Sequence, residues 1–519
     1  MSICSFDRGS LNDGGEGMRK ALVSVFNKDG ILDFVRELSH YDFEIFATKG
    51  TGNFLKSKGV KVRYIQEITG FDELIGGRVK TLNSNIFAGI LARNSDREEL
   101  ERKRIPIFDL VVVNLYPFEK VSEHSSREAE LVENIDIGGV ALLRAGAKNY
   151  ERVGVVSDPS QYTMIAEELK KYGEIRYDVR KKLAKSAFER VIRYDSVIVD
   201  RLLKGSEKQL LHINSIKTLR YGENPHQSAF VGKIEGSPSA LDALEKLHGK
   251  ELSYNNYLDI LSAVKLSQVL GEGSVVIVKH TNPSGASLFH NSLFETYERA
   301  LSTDPKSSFG GILAVNSSGI DETLAEKINE HFYEAVAARD FTEKALDMLF
   351  KKRNRRIIRF DNFPKGIREY RVINGVVLSQ EPDEGKPYDE IKCMTSRKPS
   401  KNESEDAEFG LEVVRCVRSN AVILVRDGKL IGVGAGQMSR VDAARIAIEK
   451  AKEFAHPLDG AVMVSDAFFP FPDSLQLGIE VGIKVFVEPG GSRRDDEVIK
   501  AAESAGVTLL FTGKRLFRH

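Results

Sequence analysis

VVIVKHTNPSGAS, Val275 to Ser287, places four apolar β-branched residues directly before Lys279 and His280. Asn282, Pro283 and Gly285 follow within five residues. A run of Val and Ile closed by Asn-Pro and Gly predicts a buried strand that ends in a tight loop. In α/β proteins the ends of buried strands are where ligands and reactive groups collect. Successive strand residues face opposite ways, so Lys279 and His280 can share one site only where the strand breaks. A cation beside an imidazole favours its neutral form, which can accept a proton. The pattern therefore points to an α/β fold whose strand tip carries either a general base or a surface Lys beside a hydrogen-bonded structural His.

Outward from that stretch, size and composition set limits. The 519 residues are too many for one core and predict about three to four folding units. Seventy-five basic and 75 acidic residues cancel, so no global field recruits nucleic acid or a membrane surface. An anionic ligand must instead be held by local Arg and Lys. Cys4, Cys393 and Cys416 are too scattered for a disulfide framework or a zinc knuckle, which fits a reducing, cytoplasmic setting. No apolar run reaches membrane-spanning length. Residues 1–17 lack a signal-peptide core and are expected to form a disordered leader.

From Met18 to about Leu203, apolar strands alternate with helical patterns: ALVSVF, FEIFA, LVVVNL and VGVV, then a long amphipathic stretch from Asp178. Such alternation implies parallel βα units. A polar linker is expected around Gly205 to Lys208. A second region runs from about Leu219 to Ser379 and a third from about Ala407 to the end. The charged, Pro- and Ser-rich stretch from Glu381 to Asp406 reads as a connector. Both later regions hold apolar strands ending in polar loops, which predicts two related α/β modules.

Several motifs carry possible chemistry. RYGENPHQ (Arg220 to Gln227) offers a guanidinium and a phenol suited to a phosphate. DPKSSFGG (Asp304 to Gly311) offers hydroxyls and glycines before a strand. GVGAGQMSR (Gly432 to Arg440) has the wrong spacing for a dinucleotide fingerprint, so Gln437, Ser439 and Arg440 read as polar groups at a helix start. SDAFFPFPDS (Ser465 to Ser474) is either core or an aromatic shelf for a heterocycle. GGRVKTL, NLYPF and IDIGGVALLRAGAKN supply Lys, Tyr and Asp near glycines in the first region. There is no zinc-deaminase pattern, Walker loop or GxSxG elbow.

Taken in order, GGRVKTL, NLYPF, IDIGG, LRAGAKN, LRYGENPHQ, VKHTNPSGA, SSFGGILA, SNA, GAGQMSR, SDAFFPFPDS, PGGS and RLFRH resemble the bifunctional AICAR transformylase and IMP cyclohydrolase family of purine biosynthesis. The resemblance implies a methylglyoxal-synthase-like N-terminal domain over 18–205, followed by a transformylase domain over 206–519. The latter is expected to comprise two cytidine-deaminase-like modules, about 206–380 and 407–519. It implies formyl transfer from 10-formyltetrahydrofolate to AICAR, then closure of formyl-AICAR to IMP, without a catalytic metal, in a homodimer. Lys279 and His280 match the transformylase pair. Arg220, Tyr221 and Arg515 match the phosphate grip, and Asn420, Arg440 and Phe468 match contacts to the carboxamide. Glu334 falls at an acidic contact, and Asp473 shares the loop of Phe468. Lys80, Tyr116, Asp136 and Lys148 match the ring-closing set, with Ser24, Lys28, Thr51, Arg78, Thr81 and Asn114 as ligand contacts. The chain departs from the family pattern at Phe26-Asn27, Thr48-Lys49, Asn83-Ser84, Ser284 and Arg339. The first three pairs bear on the cyclohydrolase phosphate site. A transformylase that closes the ring poorly, or a non-catalytic nucleotide sensor, are the competing readings.

Overall fold

A computed structural model describes residues 18–72, 74–203 and 211–519. The expected leader and the expected linker lie outside the described residues. The chain divides into two compact units, Met1–Leu210 and Leu211–His519.

In the first unit, β1 (Arg19–Val25), β2 (Phe43–Ala47), β3 (Arg63–Tyr64), β4 (Leu110–Asn114) and β5 (Gly154–Val156) form a sheet in the order β3-β2-β1-β4-β5. Every pairing is parallel, as the strand–helix alternation predicts. Parallel strands are covered on both faces, which is why they read as unbroken apolar runs. Ala21, Leu22 and Val23 of β1 and Leu110 to Val112 of β4 are fully buried. Strand order reverses between β1 and β4. Crevices at such reversals, outside the carboxyl ends of the strands, are where open α/β sheets bind ligands.

The second unit opens with the hairpin β6 (Ile213–Leu219) and β7 (Ala229–Ile234). Its body is one twelve-stranded sheet built from two copies of a single plan. The first copy comprises β8 (Leu244–His248), β9 (Val275–Lys279), β10 (Asn282–Ser287), β11 (Gly311–Val315), β12 (Tyr333–Ala338) and β13 (Arg356–Phe360). An exposed hairpin follows, β14 (Glu369–Ile373) and β15 (Val376–Gln380). The second copy comprises β16 (Lys392–Cys393), β17 (Val422–Arg426), β18 (Lys429–Gly434), β19 (Val462–Ser465), β20 (Val485–Glu488) and β21 (Thr508–Phe511). The spatial order is β8-β13-β12-β11-β9-β10-β18-β17-β19-β20-β21-β16, so the copies meet at β10 and β18.

The correspondence reaches single residues. The helix Tyr254–Leu270 precedes the first copy's central hairpin and starts with a capping box of Ser253 and Asn256. The helix Lys401–Val414 precedes the second and starts with a capping box of Ser400 and Glu403. Gly285 and Gly432 each stand four residues past their two-residue turn. A Cβ on either would lie 2.1 Å from the Ala300 carbonyl oxygen or 2.3 Å from that of Ala447, so only glycine lets the next helix pack this closely.

Two expectations are corrected. Asn282 to Ser287 is not a loop: after a turn of only His280 and Thr281 the chain returns as β10, antiparallel to β9. Pro283, which has no N–H to give, is accommodated beside a register shift between Pro283 and Gly285, and β10 meets its other neighbour only at Ser287. The connector expected from Glu381 to Asp406 contains β16 and the start of the helix at Lys401. Its S-x-x-E start was readable in the sequence, but the charge of the first turn masks the helix. Among the described residues no helix is long and apolar enough to cross a membrane.

Candidate active sites

β10, β17 and the helix that follows β18 begin, and β9, β19, β20 and β21 end, at one edge of the large sheet. A cavity of about 500 Å³ opens at this edge, lined by Asn420, Met438, Ser439, Arg440, Phe468, Asp473 and Arg515 among others. Five residues chosen from sequence thus converge although they span nearly a hundred positions. Ser439 caps the helix Arg440–Glu453 through the Asp442 N–H, which sets Arg440 at its first position. Arg440 is buried and donates to Asn420 Oδ1 (2.8 Å), Ser465 Oγ (2.9 Å) and the Asp466 carboxylate. Asn420 Nδ2 donates to the carbonyls of Gln437 (3.0 Å) and Met438 (3.2 Å), so its orientation is fixed. The aromatic loop serves both readings: Phe469 is core and Phe468 lines the cavity.

The turn of His280 and Thr281 is bonded to the segments that carry this cavity, and Thr281 lines a neighbouring cavity that shares Phe517 with it. Both turn residues have positive φ, 52° and 62°, as a two-residue turn between twisted strands favours. Neither is glycine, and Thr is β-branched, so the conformation persists only where the surroundings hold it. Arg418 N–H donates to Asn282 Oδ1 (2.9 Å), and Arg518 Nη1 donates to the Thr281 carbonyl (3.1 Å). These bonds tie the turn to the segments carrying Asn420 and Arg515. Lys279 Nζ donates to the carbonyls of Phe309 and Gly310, 3.1 Å each, while His280 is exposed at the tip. The SSFGG motif therefore orients the lysine; this pairing was not read from sequence. Glu334 instead pairs with Arg356, and Arg220 packs over its neighbour Tyr221 at 5.4 Å in the segment after β6. These three do not line the cavity.

The first unit gathers its residues at the crevice between β1 and β4. Thr51 Oγ1 accepts from Val25 N–H (3.1 Å), and Thr48 Oγ1 donates to Ser24 Oγ (3.3 Å). Lys28 Nζ donates to the Phe26 carbonyl (3.2 Å) and Thr51 Oγ1 (3.4 Å), and burial lowers its pKa. Asn114 Oδ1 accepts from the N–H groups of Phe26 (2.6 Å) and Asn27 (2.9 Å). Asp136 accepts from Gly139 N–H (2.7 Å) and Tyr116 N–H (3.3 Å) at the start of the helix Gly138–Lys148. Burial pushes the Asp136 carboxyl up, against those N–H groups and the charge of Lys80. A Cβ on Gly138 would lie 2.5 Å from Thr81 Oγ1, and one on Gly139 would lie 2.5 Å from Asp136 Oδ2. The glycine pair is what brings the helix start against both. The altered residues have local roles: Thr48 joins the hydroxyl cluster, Asn83 caps the helix Ser84–Leu91, and Phe26 packs edge-on to Tyr116 at 5.2 Å. Arg78 is exposed and pairs with Glu133. Lys148 ends the helix that Gly138 starts, about 15 Å along its axis. Tyr194 was missed in sequence. Tyr194, whose phenol is pushed up by burial, accepts from Asp136 N–H (2.8 Å) across 58 residues.

A family model described as AICARFT/IMPCHase bienzyme matches residues 146–450, more than half of the chain. The chain belongs to the AICARFT/IMPCHase bienzyme family. A second model, the MGS-like domain, matches residues 30–141 within the first unit. The Bifunctional purine biosynthesis protein PurH of Persephonella marina is 43% identical over 516 residues, covering 96% of this chain and all of that protein. Those of Desulfitobacterium hafniense and Aquifex aeolicus are each 41% identical with the same coverage. The solved chain titled Crystal structure of ForH is 33% identical, covers 36% of this chain and all of its own, and has a TM-score of 0.32. As an AICARFT/IMPCHase bienzyme, the protein is a bifunctional enzyme of purine biosynthesis.

Proposed function

We propose that the second unit transfers the formyl group to AICAR at the Asn420–Arg440–Phe468–Arg515 cavity, with His280 as base, and that the first unit closes the ring around Asp136. The observation that carries this reading is the convergence of Asn420, Arg440, Phe468, Asp473 and Arg515 on one cavity whose segments are bonded to the Lys279–His280 turn. Asn420 and Arg440 present polar groups to a carboxamide, Phe468 presents a face to the imidazole, and Arg515 presents a cation to the phosphate. The amine of AICAR is a weak nucleophile because its lone pair is delocalised into the ring and carboxamide. As its nitrogen attacks the formyl carbon of 10-formyltetrahydrofolate, His280 takes the amine proton, the bond from that carbon to N10 of the folate breaks, and N10 gains a proton. Lys279 is placed to stabilise the oxyanion that forms on the formyl oxygen.

In the first unit the hydroxyls of Ser24, Thr48 and Thr51 with Lys28 suit the phosphate. Lys80, Thr81, Tyr116 and Asp136 face the base. Closure joins the carboxamide nitrogen to the formyl carbon and expels water, so its main demand is positioning with charge stabilisation. Both units work in the cytoplasm as a homodimer. The hairpin of β14 and β15 supports the dimer, since Val372, Ile373, Val376, Val377 and Leu378 are all more than half exposed. Residues such as Arg220, Tyr221 and Glu334, outside the cavity in one copy, are then available to a second copy.

The test follows purified protein with AICAR and 10-formyltetrahydrofolate at both the folate and IMP stages. Lys80→Ala is expected to accumulate formyl-AICAR at an unchanged rate of folate release. Accumulation by the unmodified protein instead supports the single-activity reading, and no folate release at all supports the sensor.

A further inference from the structure

The two copies in the large sheet share one more device, and only one copy uses it on a reactive residue. In the second copy Asp406, six residues after the cap Ser400, accepts from the backbone N–H groups of Asp427 (2.8 Å) and Gly428 (2.6 Å), the two turn residues between β17 and β18. In the first copy Asp259, six residues after the cap Ser253, accepts from Thr281 N–H at 2.7 Å and faces the His280 N–H. Thr281 and His280 are the turn residues between β9 and β10.

From this correspondence we infer that Asp259 is a positioning residue for formyl transfer, holding the His280–Thr281 turn in the conformation that aims the imidazole. The second copy's turn is Asp-Gly, which favours this backbone by itself. The first copy's turn is His-Thr at φ 52° and 62°, which costs energy and persists only if held. Its polar groups are held from outside the turn. Asp259 takes the amides, Arg518 Nη1 donates to the Thr281 carbonyl, and Asn282 Nδ2 donates to the His280 carbonyl at 3.1 Å. Asp259 is the member that reaches the turn from the preceding helix. Burial raises its carboxyl pKa, as it does that of Asp406, while the N–H donors oppose this. In both copies the acceptor is thus a carboxyl committed to the turn, buried at Asp406 and half-buried at Asp259.

This inference rests on the transformylase reading of His280, and the repeat supplies its control. Asp259→Ala, Asp259→Asn and Asp406→Ala are compared in the full chain for kcat and KM of formyl transfer, with ring closure of supplied formyl-AICAR measured on the same samples. Asp259→Ala is expected to lower kcat about 100-fold, the cost of a misplacement near 1 Å, with KM for AICAR and ring closure unchanged. Asp259→Asn, which keeps an acceptor oxygen, is expected to recover about tenfold of that loss. Asp406→Ala is expected to lower the melting temperature without moving kcat beyond about twofold, because a surface turn remote from the chemistry carries little else. Equal kcat losses in Asp259→Ala and Asp406→Ala, or a loss expressed only in KM, would overturn the positioning role. An unmodified protein that does not transfer formyl groups would instead overturn the reading beneath it.

Discussion

VVIVK-HT-NPSG and VILVR-DG-KLIG occupy the same place in the two copies of the large sheet, and both residues of the turn differ between them. Each is a pair of strands joined by two residues at positive φ, and each turn is gripped by an aspartate from the preceding helix. The second copy fills the turn with Asp427 and Gly428, the chemistry such a turn prefers. The first fills it with His280 and Thr281, which the same backbone penalises. Local rules are broken where chemistry is wanted and kept where only architecture is at stake. The copy that keeps them places Asn420, Arg440 and Phe468 around the cavity at its strand ends.

The largest effect should come from the turn histidine. His280→Ala is expected to reduce kcat for formyl transfer by about 10²- to 10⁴-fold, the usual worth of a general base, with AICAR binding retained. Asp427→Ala at the matching position should leave kcat within about twofold. Equal sensitivity of the two turns, read by steady-state kinetics, would dissolve the contrast between them.

A second difference lies at the ends of matching strands, where the first copy has buried Ala338 and the second buried Glu488. Burial pushes the Glu488 carboxyl up from 4.5 to about 8, so it is neutral near pH 7 while it accepts the Phe469 N–H. Its folded-state pKa is raised, so the folded form binds the extra proton. That contribution is complete below about 4.5, declines as the pH rises and is gone once it passes about 8. Unfolding measured from pH 5 to 9 should show stability falling by several kcal/mol, and Glu488→Gln should flatten the slope. An unchanged slope in that variant would assign the pH dependence elsewhere.

The smallest effect sharpens the turn comparison directly. Replacing His280-Thr281 by Asn-Gly gives the first copy a favourable turn and should raise unfolding free energy by about 1–3 kcal/mol, with formyl transfer lowered as in His280→Ala. Denaturant unfolding checks it, and a loss of stability would show that the native turn is not strained.

Sequence patterning located most of this molecule. Parallel βα alternation in the first unit followed from apolar runs spaced by amphipathic segments, because strands covered on both faces must be apolar throughout. The return strand Asn282–Ser287 was illegible because Asn, Pro and Gly are turn formers locally, and only pairing with Val275 to Lys279 makes them a strand. Lys148 shows the converse: the motif is plain in the sequence, while its place at the far end of the helix from Gly138 is set by the fold.

By itself, then, the sequence determined which residue types are available and which segments must be buried, since hydrophobic periodicity and capping are encoded within a few neighbouring positions. Tertiary structure alone decided that Asn420, Arg440, Phe468 and Arg515 share a cavity, and that Asp259 grips a turn 22 residues away. It also gave the two related modules their residue-by-residue correspondence. Those facts depend on strand order and on hydrogen bonds between distant residues, and no local pattern records either.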